Sequence, residues 1–249
     1  MTPPISIVPR LARALLLTAA AALAGCSVGH RVDTAELLGS ERPAAEPLTA
    51  AEAYPVPSRK VTSAWSDRAG AGDFQRVAEP AQDPGSWLVT DSRDGKPITE
   101  NLYVKNPKGD VVLVRSTDHG ERVISWFSPG LIVMPDRLEP HQTHRQTTTI
   151  RIYPIDDPDH VRDQGPVTQE LTLESDQVVQ TPMGPIPSRR VHVLFTADLG
   201  VAKVEKTSDL WFATRKKDPG LVANRSEEIA KALGLTVRNV RQFQVLEAP

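Results

Sequence analysis

The sequence predicts a mainly β protein, and three observations support this. Short apolar runs alternate with polar residues at a period of two, and turns containing Gly, Pro or Asp separate them. Of the 249 residues, 39% are hydrophobic, which suffices for one sizeable core. We expect an antiparallel meander that forms one strongly curved sheet or partial barrel, with one short C-terminal helix.

The first half of the domain is predicted to be a meander of short strands. Residues 106–109 read Asn-Pro-Lys-Gly, a strong turn signal because Asn, Pro and Gly each favour turn geometry. The apolar run at residues 111–114 is typical of a buried strand. Residues 118–120 form the next turn, and a further strand at residues 122–127 ends before a Pro-Gly pair.

The second half is predicted to contain longer strands, at residues 167–174, 190–197 and 201–213. In the first of these, Val167 and Leu171 alternate with polar residues, so one face is expected to be buried and the other wet. Long strands accumulate twist, which is why a strongly curved sheet is expected.

One helix is predicted near the C-terminus, followed by a closing strand at residues 235–246. Its signals are a cap at Asn224 or Ser226, acids at Glu227 and Glu228, apolar residues at Ile229 and Leu233, and a stop at Gly234.

The N-terminal segment has the three parts of a secretory signal. Arg10 and Arg13 provide positive charge, residues 11–23 are almost entirely apolar, and small residues follow. The uninterrupted apolar run is shorter than the roughly 20 residues that cross a bilayer. A plain secretory signal and an uncleaved membrane anchor are the two alternatives.

Leu23, Ala24, Gly25 and Cys26 follow this apolar run directly, and the sequence resembles the lipobox of bacterial lipoproteins at all four positions. The resemblance implies cleavage before Cys26, a diacylglyceryl group on its thiol and a further acyl chain such as palmitate on the new N-terminus. Two or three chains make a durable anchor, whereas one holds only marginally. Ser27 after the cysteine is compatible with transfer to the outer membrane, facing the periplasm, rather than retention in the inner membrane.

The predicted organisation has three parts: a lipoprotein signal peptide at residues 1–25, a lipidated N-terminus and flexible Pro/Ala/Glu-rich tether at 26–60, and a single β-rich domain at 61–249. The alternative for the tether is an arm packed across the sheet, since Leu37, Leu38 and Tyr54 are apolar enough to dock.

Charge and cysteine content narrow the expected partners. The full chain has a net charge of −2 and one cysteine, so loss of a signal carrying two arginines leaves a mature chain near −4 with no free thiol once Cys26 is acylated. Arg189-Arg190 and Lys216-Lys217 are isolated pairs at strand ends. We expect no nucleic-acid binding and contact with a membrane only through the lipid.

Two groups of polar residues have the composition of a metal site without its spacing. His141 and His144 lie where a loop enters a strand, so their side chains are expected to point to opposite faces. The second group surrounds His160 and consists of Asp156, Asp157, Asp159 and Asp163. It lacks the central glycine and terminal glutamate of an EF-hand loop, which favours a solvated acidic turn. No metal or cofactor is expected.

No catalytic motif is present in the sequence. His192 lies mid-strand on the face opposite Val191 and Val193, and residues 70–72 (Gly-Ala-Gly) lack the third glycine of a phosphate-binding loop. A Ser/His/Asp site is defined by geometry rather than sequence order, so a hydrolase is kept as the third hypothesis.

Trp65, Trp87, Trp126 and Trp211 all fall in or beside predicted strands. They either fill the core or line an apolar pocket in the concave face, and the sequence does not separate these readings.

The domain is loosely similar in style to lipoprotein-carrier and lipoprotein-receptor domains of bacterial envelopes, which are half-barrels that hold acyl chains, and to envelope β-domains of unknown function. No motif is shared with them. The first hypothesis is a non-enzymatic, lipid-anchored envelope protein that binds a protein partner or supports the envelope. The alternative is a carrier or sensor of an apolar ligand, such as a lipid, in the concave face; a filled inner face would count against it.

Overall fold

The computed structural model describes residues 37–54, 60–67, 70–214 and 220–247. Strands make up most of the described residues and helix very little, so the predicted mainly β class is confirmed. The predicted signal peptide, Cys26 and residues 26–36 of the predicted tether lie outside the described residues.

The structure contains fifteen described strands and one described helix. Their bounds are β1 Leu37–Pro43, β2 Leu48–Thr49, α1 Ala50–Ala53, β3 Lys60–Asp67, β4 Gly70–Pro80, β5 Ser86–Arg93, β6 Lys96–Lys105, β7 Val111–Asp118, β8 Val123–Met134, β9 Arg137–Leu138, β10 Thr143–Pro154, β11 Asp163–Thr181, β12 Gly184–Asp198, β13 Lys203–Ala213, β14 Leu221–Ala232 and β15 Leu235–Glu247.

Thirteen strands form one antiparallel sheet with half-barrel curvature. From β11 the neighbours run β10, β8, β7, β6, β5, β4, β3, β15, β14, β13 and β12, and β12 pairs with β11 in turn. β1 pairs with the C-terminal half of β11, where Leu37 lies opposite Val179. The predicted strongly curved sheet is therefore confirmed, and its ends meet at β11.

The predicted C-terminal helix is wrong. Residues 221–247 form the β14–β15 hairpin, whose turn is Leu233 and Gly234 with φ values of 51° and 78°. Positive φ at both central residues is the geometry of a tight hairpin turn. Leu233 is 78% exposed, so it does not share a buried helical face with Ile229.

Tertiary pairing explains this outcome. β14 pairs with β13 from Lys203↔Lys231 to Phe212↔Leu221, and β15 pairs with β3 on its other side. Without the hairpin, the edges of β13 and β3 would expose unpaired backbone groups. The cap and acid signals at residues 224–228 are weak compared with that loss, since local propensity yields to tertiary context.

Residues 44–54 form an arm that fills one part of the sheet's inner face. Leu48 is 0% exposed, and Ala50 and Ala53 of α1 are also buried. They belong to the main core cluster, together with Trp87, Met134, Leu138, Leu171, Leu173, Val191 and Phe212. The ring of Tyr54 lies 5.7 Å from that of Tyr103 and 5.9 Å from that of Phe212. Residues 44–54 are thus packed against the sheet.

Three kinds of contact hold the arm in place. Leu48 of β2 pairs with Leu138 of β9. Thr49 and Glu52 form a capping box, in which the Thr49 N–H donates to Glu52 Oε2 at 2.9 Å. Arg189 of β12, whose side chain is 8% exposed, donates to Pro47 O at 3.0 Å and Glu46 Oε2 at 2.9 Å.

Among the described residues, no helix is both long and apolar enough to traverse a lipid bilayer.

Candidate functional site

A cavity of about 460 Å³ opens on the inner face of the sheet, beside the apolar core. One wall is built by β4 to β7 and the other by β13 to β15. Its polar lining includes Arg76, Asp91, Thr99, Lys206, Asn224, Ser226 and Arg241. Cavities of roughly 300–1,000 Å³ hold small molecules, which makes this the candidate binding site.

The first wall carries a row of polar residues at one level of four neighbouring strands. Arg76 lies opposite Asp91, Asp91 opposite Thr99, and Thr99 opposite Asp118. Directly opposed residues point to the same face of a sheet. Arg76 holds Asp91 through two parallel hydrogen bonds, Nε to Oδ1 at 2.7 Å and NH2 to Oδ2 at 2.8 Å. This bidentate ion pair neutralises the centre of the wall.

The same ion pair marks the boundary between cavity and core. Burial would lower the pKa of Arg76, but Asp91 outweighs it and raises that pKa above its ordinary value. Burial raises the pKa of Tyr103 to about 12, and burial with Tyr103 nearby raises that of Tyr54 further. Both phenols are therefore neutral at physiological pH and lie next to the Arg76 charge.

The second wall carries Lys206 on β13, Asn224 and Ser226 on β14, and Arg241 on β15. Lys206 lies opposite Glu228, and Ser226 lies opposite both Ser208 and Arg241. Burial lowers the pKa of Lys206, Glu228 raises it, and Arg241 lowers it, with burial the largest effect. A depressed lysine pKa indicates an ammonium group that has lost water without equal compensation.

The structure separates the two histidines weighed as metal ligands. His141 lies in the turn before β10 with φ of 59°, and His144 lies within β10 opposite Leu171 on the buried face. Nε2 of His144 is buried without a hydrogen-bond partner in the described part of the chain. No common metal site brings the two residues together there.

The aspartates around His160 form local contacts in the turn between β10 and β11. His160 Nδ1 lies 2.7 Å from Asp157 Oδ1, and Asp156 forms an ion pair with Arg122 at 3.1 Å. The hydrogen bond with Asp157 raises the pKa of His160, and that with Arg122 lowers the pKa of Asp156. Asp163 accepts instead from the N–H of Gly200 at 2.9 Å. The pattern fits the solvated acidic turn.

His192 belongs to an ion-pair network on the opposite face of the sheet from the core. Its Nδ1 lies 3.0 Å from Asp209 Oδ1, and ligand atoms of Glu174, His192 and Asp209 lie within 4.8 Å of one another. Arg190 already binds this group: it contacts Glu174 at 2.5 Å and Asp209 at 3.9 Å, and also reaches Glu41 of β1 at 2.6 Å. The network joins β1 to the sheet. Arg190 already supplies positive charge to these carboxylates, so the group does not indicate a cation site.

Three of the four tryptophans have described side chains. Trp87 is buried and stacks on Tyr103 with ring centroids 5.8 Å apart. Trp211 is buried in a second cluster and donates to Gln177 Oε1 at 2.6 Å. Trp126 is 41% exposed under Arg115. Trp87 therefore fills the inner face rather than lining an open apolar pocket.

The sequence analysis did not identify the cavity residues, although the alternation of inward and outward positions along β13 contains a signal for Lys206. Lys206 occupies the same face of β13 as Leu210 and Phe212, which belong to or pack on the core. A charge at an inward position of an otherwise apolar face is unusual and is a mark of a site.

Fold and site together define a class: a curved antiparallel β domain whose apolar interior is filled by its own N-terminal arm and which keeps one polar cavity. No protein-family model and no curated protein matches the sequence. Two crystal structures align with this chain in part. The hypothetical lipoprotein YmcC from Escherichia coli K12 aligns over 78% of this chain and 90% of its own, with a TM-score of 0.43 and 9% identity. A candidate lipoprotein from Parabacteroides distasonis aligns over 78% of this chain and 96% of its own, with a TM-score of 0.35 and 10% identity. At these scores the likeness does not assign a function.

Proposed function

We propose that this protein is a lipid-anchored, non-enzymatic component of the bacterial cell envelope, attached through Cys26, whose β domain binds a partner at the membrane surface. The observation that carries the anchor is the lipobox-like sequence Leu23-Ala24-Gly25-Cys26 behind an apolar, positively charged segment. Ser27 favours the outer membrane as the destination.

The packed arm supports a position close to the membrane. Only residues 27–36 separate Cys26 from the start of β1 at Leu37. Even fully extended at roughly 3.6 Å per residue, these bring the domain within about 40 Å of the lipid. A partner is therefore expected to lie in or on the same membrane.

The filled inner face argues against the apolar-ligand alternative. The apolar positions there pack on Leu48, Ala50 and Tyr54 of the arm, and the open cavity beside them is lined by charges. Acyl chains need a continuous apolar surface. The core cluster beside the arm is instead packed with side chains.

The anchor is tested with a Cys26→Ser variant and a matched Ser27→Ala variant, both expressed as the full chain in a Gram-negative host. We expect the parent and Ser27→Ala to incorporate labelled palmitate and to sediment with membranes, and Cys26→Ser to do neither. Equal labelling and membrane recovery in Cys26→Ser would refute lipidation as the means of attachment.

A further inference from the structure

The second wall of the cavity contains a cation without a partner. The Lys206 ammonium has no hydrogen bond or ion pair to any residue that the structure describes; Glu228 and Arg241 are the charges that act on it. Along the inner face of β13, Lys206 lies between the partly buried Val204 and the buried Ser208.

Such a lysine costs folding free energy. Lys206 is partly buried, and this burial lowers the pKa of its ammonium group more than Glu228 raises it. Unpaired charges of this kind persist where a ligand supplies the counter-charge. Lys206 therefore has the character of a ligand-binding residue.

An unsatisfied acceptor lies on the same wall. Asn224 Oδ1 is buried and has no hydrogen-bond donor among the described residues. Asn224 lies on β14 opposite Leu210, one inward position along β13 beyond Ser208. A buried carbonyl oxygen in this position is satisfied when a hydroxyl or amine group of a ligand donates a hydrogen bond to it.

The remaining charges of the cavity favour an anion. Arg76 and Asp91 neutralise each other, and Asp118 at the rim accepts the Glu121 N–H at 2.8 Å. Counting Arg93, Arg241 and Glu121 with them, the lining carries four cations and three carboxylates. The lining itself therefore carries one net positive charge, and Glu228, opposite Lys206 on β14, lies outside this lining.

We propose that this cavity binds a small hydroxylated anion, with its phosphate or carboxylate group on Lys206 and a hydroxyl donating to Asn224 Oδ1. The cavity of about 460 Å³ holds a molecule of metabolite size. The anionic group belongs either to a free solute or to a phospholipid head group. The proposal goes beyond the lipid anchor and does not depend on it.

Calorimetric titration of the full chain, purified in detergent, tests the proposal with glycerol 3-phosphate and inorganic phosphate as probes. We expect Lys206→Met to weaken glycerol 3-phosphate binding at least tenfold and Lys206→Arg to retain it. Lys203→Met is the matched control, because Lys203 lies on the outward face of β13, 74% exposed in an ion pair with Asp198. It should bind as the parent does.

Asn224→Leu separates the two contacts. It should weaken glycerol 3-phosphate binding and leave inorganic phosphate binding unchanged, because only glycerol 3-phosphate carries an alcohol hydroxyl apart from its phosphate group. Phosphatidylglycerol vesicles form the second arm: Lys206-dependent binding to vesicles alone assigns the anion to a head group, and to the soluble probe alone assigns it to a free solute. No binding of any probe, or equal binding by Lys206→Met and the parent, would overturn the proposal.

Discussion

Lys206 links stability and binding at the scale of one residue. Its pKa is lower in the folded protein than the ordinary value of 10.5, chiefly through burial. The unfolded chain therefore holds this proton more tightly, and the charged lysine destabilises the fold at neutral pH. This penalty disappears as the pH rises through the folded pKa towards 10.5. Glu228 and Arg241 are the charged groups that act on it in the fold.

We expect Lys206→Met to raise the free energy of unfolding at pH 7, even though the same variant is expected to weaken anion binding. The gain over the parent should shrink as the pH rises towards 10.5, where the parent lysine is neutral. Urea unfolding followed by circular dichroism at pH 7 and above measures both values. A Lys206→Met protein less stable than the parent at pH 7 would mean that the lysine has a stabilising partner.

At the scale of elements, the β14–β15 hairpin is the clearest departure from the sequence prediction. In the predicted helix, Leu233 would occupy a buried position. In the hairpin, it is an exposed turn residue with φ of 51°. Leucine is poorly suited to positive φ, whereas asparagine adopts it readily.

Leu233→Asn should therefore stabilise the protein by about 0.5–1 kcal/mol through relief of the turn. Leu235→Asn is a matched control, because Leu235 is also exposed but lies in β15, where asparagine is disfavoured. Thermal unfolding of the two variants measures the difference. Destabilisation by Leu233→Asn larger than that by Leu235→Asn would favour the helix.

Two elements show how much of the fold can be predicted from the sequence. Alternation in β11 predicts its buried residues Val167, Leu171 and Leu173, because the period of two directly reflects the two faces of a strand. Residues 224–234 mislead because caps and acids are local signals, whereas pairing with β13 depends on residues distant in the chain.

The cavity illustrates the same limit. Arg76 and Lys206 lie far apart in the sequence, and nothing local shows that β4 and β13 contribute to opposite walls of one site. Only Lys206 leaves a local trace, as a charge on the apolar face of β13. The lipobox-like segment is different, because its residues are contiguous and the motif can be recognised without knowledge of the fold.

At the scale of the whole molecule, the arm at residues 44–54 determines how much of the inner face is filled. Pro47 lies within the arm and Pro43, Pro55 and Pro57 lie beside it, and this proline content is typical of a linker. Its docking depends instead on partners elsewhere in the chain: Asp136, whose carbonyl accepts the Ala50 N–H at 3.0 Å, and Glu174, whose carbonyl accepts the Ala44 N–H at 3.2 Å. The arm fills part of the inner face.

Amide hydrogen exchange on the full chain in detergent tests this arrangement most directly. If the arm is part of the core, the amides of Ala44, Ala50 and Tyr54 exchange far more slowly than in an unstructured peptide, since each donates a backbone hydrogen bond and lies beside buried residues. Exchange of these amides at the rate of an unstructured peptide, with β11 and β12 still protected, would show a free tether and an open inner face, and would contradict the arrangement described.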